Sequence, residues 1–193
     1  MDTRRDDPIA APGPGIAVVS GSTYGHTADA AERIAANLRT LTDASVTLRD
    51  VATLRRGALD GREALVLGAS TWYEGELQPD WDERLDDLVQ GDWRGRRVAL
   101  FGAGDPEGYP DTYGDALGIL AERVEAVGAS LIGAVAIAPG AVVGDRARRG
   151  REAVGLLLDY DNEPEAVAER VRVWCDGLAA SLPAGRRAAA EPA

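Results

Sequence analysis

Lysine is absent from this sequence, and cysteine, histidine, methionine and phenylalanine occur once each. A lone cysteine, Cys175, excludes an intrachain disulfide framework and a cysteine-rich metal site. No apolar run approaches the length of a membrane span, and the N-terminus lacks the hydrophobic segment of a signal peptide. Those absences point to the cytoplasm. Arginine supplies every strongly basic side chain, which speaks of codon composition rather than chemistry. The basic side chains are outnumbered by acids, and the net charge is -11. That balance disfavours nucleic acid and anionic membranes and suits a basic protein partner.

What is present reads as one α/β domain over residues 15–182, with a short leader (1–14) and a tail (183–193) rich in Ala, Pro and Arg. Short apolar runs alternate with amphipathic stretches. Strands are expected at Ile16–Val19, Val46–Leu48, Ala64–Gly68, Arg97–Phe101 and Leu131–Ile137. Helical spacing places Ile34 and Leu38, then Trp81, Leu85 and Leu88, then Leu117, Leu120, Val124 and Val127, and finally Val167, Val171, Trp174 and Leu178 on buried faces. Thr27 suits the N-cap of the first helix, and Gly128 ends the third. This alternation implies a doubly wound, five-stranded parallel sheet of order 2-1-3-4-5 with helices on both faces. One segment breaks the rhythm. Residues 138–152 carry Arg146, Arg148, Arg149 and Arg151, and an apolar run, Val154–Leu158, follows. The pattern is that of a final strand interrupted by an insertion, expected as a solvated surface loop, with a docking or folding element as the alternative.

Three loops that follow strands carry the chemistry. In Ser22-Thr23-Tyr24-Gly25-His26-Thr27, hydroxyls surround a glycine just before a helix N-terminus, where outward N–H groups favour an anion. The loop holds no Lys or Arg and lacks the Gly-Lys-Ser/Thr ending of a nucleotide triphosphate loop. It suits a phosphate monoester. Trp72 and Tyr109 lie a few residues past two other strands, in Gly- and acid-rich loops. Two such rings facing each other would make a slot for a flat heterocycle.

Together these residues resemble the flavodoxins, specifically the long-chain kind. The first loop is similar to the family's Ser/Thr-x-Thr-Gly-x-Thr. Ser70-Thr71-Trp72-Tyr73-Glu74-Gly75-Glu76-Leu77-Gln78 resembles its second flavin loop, and Gly102-Ala103-Gly104-Asp105-Pro106-Glu107-Gly108-Tyr109 its third. The split fifth strand matches the long-chain insertion. The resemblance implies one FMN and one-electron transfer between redox proteins. It implies a phosphate held by Ser22, Thr23, Tyr24, Gly25, His26 and Thr27 and an isoalloxazine between Trp72 and Tyr109. Ser70, Thr71, Tyr73, Glu74, Gly75, Gly102, Ala103, Gly104, Asp105 and Asp111 complete the expected cofactor site. Tyr24 stands where the family usually has Thr, and His26 where Asn is common. By resemblance, the Tyr73–Glu74 peptide turns during one-electron reduction, and Tyr rather than Gly at 73 makes a positive φ costlier.

Acids crowd both ring loops, which carry no cation. Repulsion of an anionic reduced flavin predicts a low potential for the second electron. The same acids would steer a basic-surfaced reductase or acceptor protein in transient complexes of a monomer. The alternatives are a two-electron FMN-dependent quinone or flavin reductase on a related fold, and a flavin-free interaction domain. The sequence shows no nicotinamide motif.

Overall fold

A computed structural model describes residues 15–182; the expected leader and tail lie outside the described residues. The first strand, β1 (Ile16–Ser20), leads through a tight loop into α1 (His26–Leu41), then β2 (Val46–Asp50) and β3 (Ala64–Gly68). A small hairpin, β4 (Thr71–Trp72) and β5 (Glu76–Leu77), precedes α2 (Pro79–Leu88). Next come β6 (Arg97–Gly104), α3 (Asp115–Ala126) and β7 (Ser130–Ile132). Three short strands follow, β8 (Val135–Ala136), β9 (Arg148–Arg149) and β10 (Glu152–Ala153), before β11 (Leu156–Asp159) and α4 (Val167–Ala179).

The central sheet is parallel throughout and runs β2-β1-β3-β6, with β7 and β11 both on β6. One edge of β6 pairs with β3 over Arg97–Phe101. The opposite edge is shared: β7 covers Arg97–Ala99 and β11 covers Phe101–Gly104. Two segments thus fill the fifth position, as expected of an interrupted strand.

The central strands β1 and β3, and β6 over residues 98–103, are buried on both faces, which is why their sequences are apolar runs; the edge strand β2 is half-buried and reads Val-Thr-Leu-Arg-Asp. Ala17 and Val19 join Leu65, Leu67, Trp81 and Leu120 in a core beneath α2 and α3. Ile16 and Val18, pointing the other way, join Ile34, Leu38, Phe101, Val171 and Trp174 beneath α1 and α4. Burial of each such side chain contributes roughly 1.5–3 kcal/mol. The helical faces read from spacing are the buried ones except at Val127, which is half-buried at the C-cap of α3; Gly128 follows with a φ of 94°.

Two local expectations are corrected. The strand expected over Leu131–Ile137 stops at Ile132. Gly133 takes a φ of 76°, and the Trp174 indole N–H donates to its carbonyl at 2.7 Å, so the chain leaves the sheet there. The insertion is not merely a solvated loop. Strands β8, β10 and β9 form their own antiparallel sheet, which is fastened to α3. The Arg146 N–H donates to Asp115 Oδ1 at 3.1 Å, the Arg146 guanidinium pairs with Glu122, and Arg149 approaches Glu125 at 3.9 Å.

Candidate functional site

The loops after β1, β3 and β6 leave the sheet at the same end, because the strands are parallel neighbours. The first is tightened by Ser22, whose Oγ accepts the Gly25 N–H at 3.1 Å. Gly25, at a φ of 96°, is the N-cap of α1. Thr27 is therefore not the cap, as the sequence suggested; it is buried inside the first turn. The first backbone bond of the helix runs from Asp29 N–H to the Gly25 carbonyl at 2.8 Å. The amides of His26, Thr27 and Ala28 precede that bond and form the positive end of the helix dipole. His26 stacks on Tyr160 at 4.7 Å, and the Tyr160 phenol donates to Asp29 at 2.8 Å. Arg33 also binds Asp29, and chiefly through that contact holds its carboxyl below the ordinary value.

The second loop is the β4–β5 hairpin. Its turn is closed by Gly75 N–H to the Trp72 carbonyl at 3.1 Å, and Tyr73 inside it has a φ of 44°. No other non-glycine residue among the described ones has positive φ. Trp72 is half-buried, with its indole N–H donating to Ser70 Oγ at 3.1 Å. Its ring lies parallel to that of Tyr24, with centroids 5.8 Å apart, and meets Tyr73 edge-on. Thr71 Oγ1 accepts the Ala116 N–H, which ties the hairpin to the start of α3.

The third loop wraps around Asp105. One carboxylate oxygen accepts N–H groups of Glu107 (3.0 Å) and Gly108 (2.9 Å) and the Asn162 side-chain amide (3.0 Å). These bonds, the Gly108 N–H foremost, lower the Asp105 pKa. Tyr109 follows with 64% of its surface exposed. The buried Asp159 accepts the Asp161 and Asn162 backbone N–H groups, so Asn162 braces the third loop from the end of β11.

The three loops line one crevice of about 950 Å³. From the first loop it is lined by Ser22, Thr23, Tyr24, His26 and Thr27, and from the second by Ser70, Thr71, Trp72, Tyr73 and Glu74. Ala103, Gly104, Asp105 and Tyr109 line it from the third. Four expected residues do not form its wall. Gly25 shapes the turn, and Gly75 backs onto Asp115. Gly102 sits where a Cβ would lie 2.5 Å from the Ala69 carbonyl, and Asp111 is exposed outside the lining.

Sequence reasoning gave no role to Gln78 at the end of the second loop; it caps α2 through Oε1 and reaches Thr23 Oγ1 at 3.4 Å. That reasoning also missed Tyr160 and Asn162, along with Thr112, Tyr113 and Asp161 in the crevice wall. Pro79, a proline at the first helical position, is the start signal that could have been read. A larger cavity of about 1040 Å³ between the insertion and α4 is lined mainly by apolar side chains; it meets the third loop only through Pro106 and Glu107 and includes neither the loop of residues 22–27 nor Trp72 or Tyr109. The smaller crevice is therefore the candidate site.

The family model described as Flavodoxin matches residues 18–174. A flavodoxin of Picosynechococcus is 41% identical over 129 residues, covering 67% of this chain and 76% of that protein. Flavodoxin 1 of Salmonella typhimurium is 37% identical over 167 residues, covering 84% and 91%. Among solved structures, Fusobacterium nucleatum flavodoxin bound to flavin mononucleotide superposes with a TM-score of 0.77 at 19% identity, covering 87% of this chain and 98% of that one. Oxidised Flavodoxin 2 of Bacillus cereus gives a TM-score of 0.69 at 25% identity, covering 87% and 99%. With loop sequences, sheet order and relatives in agreement over nearly the whole domain, the chain belongs to the flavodoxin family.

Proposed function

We propose that the crevice holds FMN, with its phosphate at the N-terminus of α1 and its ring beside Trp72 and Tyr109, and that the protein works as a low-potential carrier. As a flavodoxin, the protein is an FMN-binding electron-transfer protein, not an enzyme, and exchanges electrons with redox partner proteins. The observation that carries the site assignment is the layout of the crevice. One crevice joins a hydroxyl-lined helix N-terminus without Arg to the rings of Trp72, Tyr73 and Tyr109, in a volume typical of ligand sites. Ser22, Thr23, Gly25, His26 and Thr27 would bind the phosphate through hydroxyl and backbone groups. Thr71, Tyr73, Gly104 and Asp105 would bound the ring and ribityl chain. Ser70, Glu74, Gly75, Gly102, Ala103 and Asp111 shape or rim the same loops. The bound FMN supplies the redox chemistry; the chain's task is to hold it, shield it and set its potentials.

Glu74, Glu76, Asp105 and Asp161 line the crevice, and no Arg lies among its lining residues. That charge distribution supports a low potential for the second electron and transient docking of basic-surfaced partners onto a monomer. No helix among the described residues is long and apolar enough to cross a membrane, and the proposed setting is the cytoplasm. The two-electron reductase alternative is not favoured, because the relatives are flavodoxins by name.

Anaerobic reduction of the FMN-loaded protein, followed by visible spectroscopy, tests the function. Two resolved one-electron stages are expected. Bleaching in a single two-electron stage would overturn the carrier assignment, and failure to take up FMN would overturn the site.

A further inference from the structure

We propose that Tyr24 acts through its ring rather than its hydroxyl: it backs Trp72 from the β1 side and so positions the indole as a wall for the flavin. The proposal rests on the FMN assignment above. In the sheet, β3 lies between β1 and β6. The loop bearing Trp72 is therefore flanked by the loop of Tyr24 on one side and the loop of Tyr109 on the other. The Tyr24 and Trp72 rings are within 6° of parallel, with centroids 5.8 Å apart. A flat heterocycle between two rings needs about 7 Å from centre to centre, two contacts of ~3.5 Å. The flavin cannot enter that pair, so the face left to it is the one toward Tyr109. The resulting order is Tyr24, Trp72, flavin, Tyr109.

The surroundings explain why Trp72 needs a backing. It sits on a two-residue strand of a hairpin whose turn is exposed, anchored by its indole N–H to Ser70 and by Tyr73 edge-on. Tyr24 is 82% exposed, so its ring is held by this stacking rather than by burial in a core. A threonine at position 24 could offer a hydroxyl but no face. On this reading the roles divide: phosphate binding would fall to Ser22, Thr23, Thr27 and the helix amides, and ring positioning to Tyr24.

Tyr24→Phe and Tyr24→Thr distinguish ring from hydroxyl. FMN is titrated into flavin-free wild type and both variants, and binding is read from quenching of flavin fluorescence. Tyr24→Phe is expected to bind like wild type, and Tyr24→Thr about two- to tenfold more weakly, the range one aromatic pair supplies. An independent readout uses acrylamide quenching of tryptophan emission in the flavin-free proteins. Trp81 and Trp93 are fully buried and Trp174 is 7% exposed, so the quenchable emission belongs to Trp72. Quenching should rise in Tyr24→Thr and stay unchanged in Tyr24→Phe. Weak binding by Tyr24→Phe with normal binding by Tyr24→Thr would overturn the proposal in favour of a hydroxyl role. Equal binding and equal quenching in all three proteins would overturn it too. If wild type takes up no FMN, the site assignment itself falls, and this proposal with it.

Discussion

Tyr73 already has a positive φ in the hairpin turn, so the backbone expense anticipated for a turned peptide is present in the loop as it stands. A left-handed conformation disfavours non-glycine residues by roughly 1–2 kcal/mol, most of all β-branched ones. Tyr73→Val should therefore lower the unfolding free energy by about 1–2 kcal/mol relative to Tyr73→Asn, measured by urea denaturation; equal stabilities would contradict the strain. Cys175 has the opposite character. It is fully buried on α4, and burial, aided by the Asp176 charge, pushes its thiol up to about 12. The thiolate is the reactive form. Folded protein at pH 8 should leave a thiol reagent unconsumed, and denaturant should release one equivalent. The residues that contact across loops were the hardest to read from sequence. Asn162 and Asp105 are 57 positions apart, and neither carries a local pattern that announces the other.

The helices and four of the strands were legible because their apolar spacing follows from burial on one or both faces. The fifth strand was legible only as an interruption. Its arginines suggested a solvated face, whereas Arg146 and Arg149 are directed at acids of α3 that no linear pattern links to them. Exposed ion pairs of this kind contribute only ~0–1 kcal/mol each. Close backbone approach does more to seat the insertion: a Cβ on Gly118 of α3 would fall 2.4 Å from the Arg146 carbonyl oxygen. Alanine in an exposed helix is favoured over glycine by roughly 0.5–1 kcal/mol. Here the sign should reverse, with Gly118→Ala destabilised by about 1–3 kcal/mol as the insertion is forced off α3. A more stable Gly118→Ala variant in urea denaturation would show that the contact is looser than described.

At the scale of the molecule, the net charge is -11, and Glu74, Glu76, Asp105 and Asp161 are the acids that line the crevice. Encounter with a basic redox partner should slow as ionic strength rises from 0.01 to 0.15 M, since the screening length shrinks from about 30 to 8 Å. Combined Glu74→Gln and Asp105→Asn should flatten that dependence in stopped-flow electron transfer and raise the second reduction potential by on the order of tens of millivolts. An unchanged salt profile would assign steering to charges elsewhere. The shared edge of β6 has a consequence for how this chain can be rebuilt. Ile132 aligns with Ala99 and Leu156 with Phe101, so the segment between them leaves and re-enters the sheet two positions apart, about 7 Å along one strand. Topologically it is a cassette: a short splice would close the gap without rerouting any other connection. Its removal would nonetheless take the buried Ala147 and Val154 out of the core and uncover the flank of α3 they pack with, so a shortened protein would need new polar residues there to stay soluble.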